Sequence, residues 1–114
     1  MIIVCDTHQL RKLVSTNSIA VRQLGAPCAK KLKRRIDELS DCANLEAMSA
    51  YPGNCHELKG DYAGHLAVNL HGGFRLVFRP EHDPIPRKPD GGLDRCRVTE
   101  IRVVAIEDYH GHAN

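Results

Sequence analysis

Aromatic side chains are scarce in this chain of 114 residues, which has two Phe, three Tyr and no Trp. So few rings argue against a broad stacking platform of the kind that holds single-stranded nucleic acid by its bases. Long apolar runs are also missing, and nothing approaches the roughly 20 consecutive apolar residues that a membrane-crossing helix needs. Charge of one sign is not in excess: 16 Lys and Arg stand against 14 Asp and Glu, a net charge of +2. That balance alone gives no reason to invoke a polyanionic partner. Cysteine is present without a pattern, at positions 5, 28, 42, 55 and 96. An odd number with no close pair fits neither a disulfide framework nor a zinc site. The apolar part of Met1-Ile2-Ile3-Val4-Cys5 is too short for a secretory signal, and charges follow it quickly. The expectation is a cytoplasmic protein with reduced cysteines, without metal or cofactor, folded as a single domain over residues 1–114.

What the sequence does contain is ordered hydrophobic periodicity. Met1 to Cys5 is β-branched and reads as a first strand. Asp6 or Thr7 can cap a helix over His8–Ser15. A second helix starts at Gly25-Ala26-Pro27, with Cys28, Ala29, Leu32, Ile36 and Leu39 forming one apolar stripe. Asn44 to Ala50 adds a helical turn before Tyr51-Pro52-Gly53-Asn54. From there the period becomes two. Leu66, Val68 and Leu70, then Phe74, Leu76 and Phe78, flank the turn His71-Gly72-Gly73 and predict a hairpin. Val98–Glu107 reads as a last, interior strand, with Ile101, Val103 and Ala105 on one face and Val104 and Ile106 on the other. Residues 80–97, rich in proline, read as a long loop. The order β-α-α-β-β-β predicts an α/β (α+β) fold, with a small curved, mostly antiparallel sheet and helices packed on one face.

Chemistry-bearing residues concentrate in two places. Arg75 and Arg79 share one face of the hairpin, opposite Phe74 and Phe78, so they line the open side of the sheet if the phenylalanines face the helices. His56 and Lys59 precede a glycine turn, and Tyr109 and His110 follow the last strand. Two histidines for proton transfer and a Lys and an Arg against a developing phosphorane charge would suffice to cleave RNA through its own 2′-OH. Separately, Lys30, Lys31, Lys33, Arg34 and Arg35 form a basic run on the second helix, a patch that can attract phosphate. Each feature also has a plain reading, as a solubilising surface charge or a surface histidine.

The combination Cys55-His56-Glu57-Leu58-Lys59-Gly60-Asp61, Gly64, Val68-Asn69-Leu70, Phe74-Arg75-Leu76-Val77-Phe78 and Ile106-Glu107-Asp108-Tyr109-His110 resembles the HigB-type branch of the RelE/ParE toxin superfamily. The resemblance runs from the second helix onward and departs from the family in the insertion at 80–97. It implies a RelE-like fold and the toxin of a type II toxin–antitoxin pair, a ribosome-dependent mRNA endonuclease neutralised by a helix-turn-helix, HigA-like antitoxin. It further implies catalytic roles for His56, Lys59, Arg75, Asp108, Tyr109 and His110, while Lys30, Lys31, Lys33, Arg34, Arg35 and Arg79 are expected RNA contacts by their charge and placement. The alternative it leaves open is a non-catalytic relative, either a gyrase poison or a degenerate antitoxin binder.

Overall fold

A computed structural model describes residues 1–109, so His110 lies outside the described residues. Strands β1 (Ile2–Cys5), β2 (His56–Glu57), β3 (Leu66–Asn69), β4 (Phe74–Pro80) and β5 (Glu100–Asp108) form one sheet in the order β1-β5-β4-β3-β2. β1 runs parallel to β5, and every other neighbouring pair is antiparallel. The mixed α+β class is therefore as expected, and β5 is interior, with β1 on one side and β4 on the other.

The helical part differs from the sequence expectation. Helices α1 (His8–Ser15), α2 (Asn17–Leu24) and α3 (Ala26–Asp41) follow one another, so the described residues hold three α-helices where two were expected. The α1 boundary and its cap are as read, since the Thr7 side chain accepts from the Leu10 amide. α2 has one fully buried residue, Ala20, and so shows little of the apolar stripe that identifies a helix in sequence. Gly25, at φ 86°, breaks the path between α2 and α3 in a conformation that glycine adopts without a Cβ penalty.

The core forms between the helices and one sheet face. Cys28, Ala29, Leu32 and Leu39 of α3 meet Leu66, Val68, Leu76, Phe78, Ile101 and Val103 of the sheet, all buried. Each buried aliphatic or aromatic side chain contributes about 1.5–3 kcal/mol by leaving water, which sets the face-to-face arrangement. The 80–97 segment is largely irregular, as expected, yet it is tied down. Pro80 closes β4, Arg87 and Leu93 form an isolated bridge, and Leu93 and Ile85 join the core.

The register of β5 overturns one expectation. Val77 pairs with Ala105, but Phe78 pairs with Val103, so Val104 is an extra residue in β5. A bulge of this kind reverses the facing of every residue beyond it. Ile101 and Val103 face the helices before the bulge, and Ile106 does so after it, while Ala105 passes to the opposite face. No helix among the described residues is long and apolar enough to cross a membrane.

Candidate functional site

The sheet face turned away from the helices carries the residues of interest. Asn69, Arg75 and Glu107 are direct cross-strand partners on β3, β4 and β5. Directly opposed residues point to the same side, so the three side chains form one row. Arg75 donates from both Nε (3.1 Å) and Nη2 (2.9 Å) to Glu107 Oε1. Glu107 Oε2 accepts from the Tyr62 hydroxyl at 3.0 Å. The Arg75 guanidinium also lies over two rings, 4.9 Å from the Tyr109 centroid and 5.7 Å from that of Tyr62, within cation–π range. Tyr109 is itself placed by its amide, which donates to the Gly73 carbonyl at 3.2 Å.

Tyr62 reaches this cluster because the chain turns sharply after β2. Residues Gly60–Tyr62 form a 3₁₀ turn, and Gly60, at φ 66°, allows it. Lys59 sits exposed at its start, and its carbonyl accepts from the Tyr62 amide. The phenol of Tyr62 is harder to ionise than usual. Burial is the main cause, followed by the hydrogen bond to the Glu107 carboxylate and its negative charge.

His56 stands on the same face, in the neighbouring row with Ala67, Val77 and Ala105. It is two strands from β4, roughly 10 Å at the usual strand spacing. Its Nδ1 lies 2.7 Å from the Asn54 carbonyl, which can only accept. The neutral ring therefore carries its proton on Nδ1 and leaves the Nε2 lone pair as the acceptor, the form a general base needs.

Other expected site residues are placed differently. Asp108 pairs with Phe74 across the strands, so it lies on the helix side of the sheet, opposite Arg75 and Tyr109. The expected grouping of Asp108 with Arg75 is thus corrected by the bulge at Val104, which brings Glu107 to Arg75 instead. Arg79 shares the face of Arg75, as expected, but it binds Glu81 at 3.2 Å. Glu81 also accepts from Arg102, which in turn faces Asp6 at 3.7 Å. Arg79 thus belongs to a separate charge network.

The basic run of α3 also divides. Lys30, Lys33 and Arg34 are exposed and Lys31 half-buried, but Arg35 is only 4% exposed. Its Nε donates to the Asn69 carbonyl (3.0 Å) and its Nη1 pairs with Glu38 (3.0 Å). Arg35 is removed from the expected RNA-contacting set, because its guanidinium ties α3 to the end of β3. Gly53 packs against it so closely that an added Cβ would lie 2.6 Å from Arg35 Nε.

Tyr62, Asn69 and Glu107 carry no catalytic or binding role in the sequence reading, although Asn69 and Glu107 lie within the motifs of the resemblance. Facing alternation alone would have put Asn69 beside Arg75, but Tyr62 required the turn geometry and Glu107 the bulge. As for metal, no group of three or more His, Cys, Asp or Glu side chains is gathered for one among the described residues. Set against known proteins, the chain matches no family model, and no curated protein matches it either.

Proposed function

We propose that this chain is the toxin of a type II toxin–antitoxin pair and cleaves mRNA on the ribosome, in the cytoplasm, with a RelE-like fold and a helix-turn-helix antitoxin as its partner. The motif resemblance supplies this reading. The observation that carries it is the cluster on the open sheet face, where Arg75 lies against Tyr62 and Tyr109 with Glu107 beside it, on the same face as His56. In the reaction, a base takes the proton of a ribose 2′-OH and the oxygen attacks the adjacent phosphorus. The bond to the 5′-oxygen then breaks, and that oxygen takes a proton from an acid, leaving a 2′,3′-cyclic phosphate and a 5′-hydroxyl. His56 Nε2 is the proposed base, Arg75 and Lys59 stabilise the phosphorane charge, and Tyr109 holds Arg75 in place. His110 is the proposed acid, on the resemblance alone. Asp108 is left without a catalytic role.

The test is to induce the protein in growing cells and map transcript 5′ ends. Cuts inside translated frames that vanish with Arg75→Ala support the proposal. Full toxicity of the Arg75→Ala protein overturns the assignment. One observation favours a second reading, a non-catalytic binder: Glu107 already occupies Nε and Nη2 of Arg75, so a phosphate must displace it or use the remaining donors. Toxicity with DNA damage and no transcript cleavage would establish that alternative.

A further inference from the structure

A second concavity lined by basic residues lies away from Arg75, at the junction of α3 with the β3–β4 turn. Pro27, Lys30, Lys31, Arg34 and His71 line a pocket of about 230 Å³. The four α3 residues follow the i, i+3, i+4, i+7 spacing, so they occupy one stripe of the helix. Opposite them, His71 comes from the turn. The junction is fixed by Arg35, whose Nε donates to the Asn69 carbonyl just before the turn (3.0 Å).

The cations of this pocket differ from those of the sheet in their pairing. Arg75, Arg79 and Arg102 on the sheet are each ion-paired. Lys30, Lys31 and Arg34 make no ion pair among the described residues. Asp37, Glu38 and Asp41 line a neighbouring concavity with Lys30 and Arg34; Asp37 is paired with Lys33 (3.3 Å), Glu38 with Arg35 (3.0 Å), and Asp41 makes no ion pair among the described residues. Three cations outside any ion pair among the described residues, with an imidazole around the same concavity, match a phosphate group with several hydrogen-bond acceptors.

We infer that Lys30, Lys31, Arg34 and His71 form a subsite for a backbone phosphate of single-stranded RNA, distinct from the Arg75 cluster. The β3–β4 turn connects the two places. His71 faces the pocket, while Gly73, two residues on, accepts from the amide of Tyr109, whose ring stacks on Arg75. A strand engaged at Arg75 and passing over this turn reaches the pocket with another of its phosphates. The choice of RNA rests on the proposed function; the phosphate chemistry stands on the charges and the pocket.

The test is fluorescence-anisotropy binding of a labelled single-stranded RNA carrying 2′-O-methyl groups, which block cleavage, across a range of salt. The variants are Lys30→Gln/Lys31→Gln/Arg34→Gln, His71→Ala and Arg75→Ala, with circular dichroism to confirm folding. Loss of three phosphate-facing cations should lower the salt slope by about 2 and weaken binding on the order of tenfold to a hundredfold at about 0.1 M salt. His71→Ala should weaken binding with little change in slope. Unchanged affinity and slope in the triple variant would overturn the subsite. So would inorganic phosphate binding as tightly as the RNA, since the pocket would then serve a free anion. The two readings fail separately. If the triple variant binds normally while Arg75→Ala abolishes transcript cleavage, the subsite falls and the endonuclease stands. If the triple variant loses RNA while the unaltered protein cuts nothing, the subsite stands and the endonuclease falls.

Discussion

Arg35→Ala tests whether the basic run of α3 is one surface or two. In the structure the Arg35 and Glu38 side chains are 4% and 12% exposed and paired at 3.0 Å. Removing one partner of a buried ion pair typically costs about 3–5 kcal/mol, because the other charge is left without compensation. Glu38 keeps some access to water, which favours the lower end of that range. The Asn69 carbonyl loses a donor as well, a further cost of about 1 kcal/mol. The expected loss is therefore about 3–4 kcal/mol, a large share of the roughly 5–15 kcal/mol that holds a small domain folded. At several degrees per kcal/mol, the melting temperature should fall by roughly 12 °C or more. Urea unfolding followed by circular dichroism measures this directly, with the midpoint falling and the slope unchanged. Adding Glu38→Gln should restore part of the loss, since it removes the stranded charge. By contrast, Arg34→Ala should stay within about 0.5 kcal/mol of the unaltered protein, as an exposed helix residue does. If Arg35→Ala unfolds at the same urea concentration as the parent and only weakens RNA binding, the structural role argued for Arg35 is wrong.

Gly53→Ala should destabilise by about 1–3 kcal/mol in a thermal melt, because φ is +111° and the new Cβ would meet Arg35 Nε at 2.6 Å. A melt matching the parent would mean that the Arg35 side chain can move aside freely. Tyr109→Phe should preserve stability and any cleavage activity, since the ring remains over Arg75, whereas Tyr109→Ala should lose up to about 1 kcal/mol in urea and most of the activity. Equal effects of the two substitutions would shift the role to the hydroxyl, which faces Asn69 Oδ1 at 3.5 Å. Burial pushes the Cys55 thiol from its ordinary 9.0 up to about 11, so the folded state holds that proton longer than the unfolded chain does. The associated stability is complete below pH 9 and lost as pH rises towards 11; Cys55→Ser should flatten this fall in pH-dependent urea midpoints, and an unchanged pH profile would refute it. At pH 8, iodoacetamide should modify exposed Cys96 well before Cys55, which peptide mass mapping reports.

The parts of this fold visible in the sequence are those governed by local periodicity. Leu66, Val68, Leu76 and Phe78 recur at every second position because that side of their strands packs on the helices, although Ala67 and Val77 between them are buried as well, and α3 shows its stripe because it is long and half-buried. α2 was not visible, because an eight-residue helix that fully buries only Ala20 carries too little pattern. The basic run looks uniform in the sequence because charge alone does not show which of five neighbouring cations points inward. Arg35 sits with Cys28, Ala29, Leu32 and Leu39 on the buried side of α3, and a guanidinium there is tolerated only because Glu38 and the Asn69 carbonyl satisfy it. Its partners lie three and thirty-four residues away. Only the first of these is within reach of a local reading.

The candidate site turned on one residue of register. Without the extra residue at Val104, strict alternation would carry Glu107 to the helix side with Ile101 and Val103, and Asp108 to the face of Arg75. With it, Ile106 enters the core and Glu107 stands opposite Arg75. The hydrophobic pattern contains a hint of this, since Val103, Val104, Ala105 and Ile106 are four consecutive apolar residues that fit either phase. A strand that is apolar on both faces gives no internal signal of a shift, because its apolar residues satisfy both sides equally. The arrangement is decided by the neighbours: Phe78 and Leu76 of β4 must both meet apolar partners, which they find in Val103 and Ile106 across the bulge. Core packing thereby chooses which carboxylate reaches Arg75. The chemistry of the open face is set, at this point, by the fit of the face beneath it.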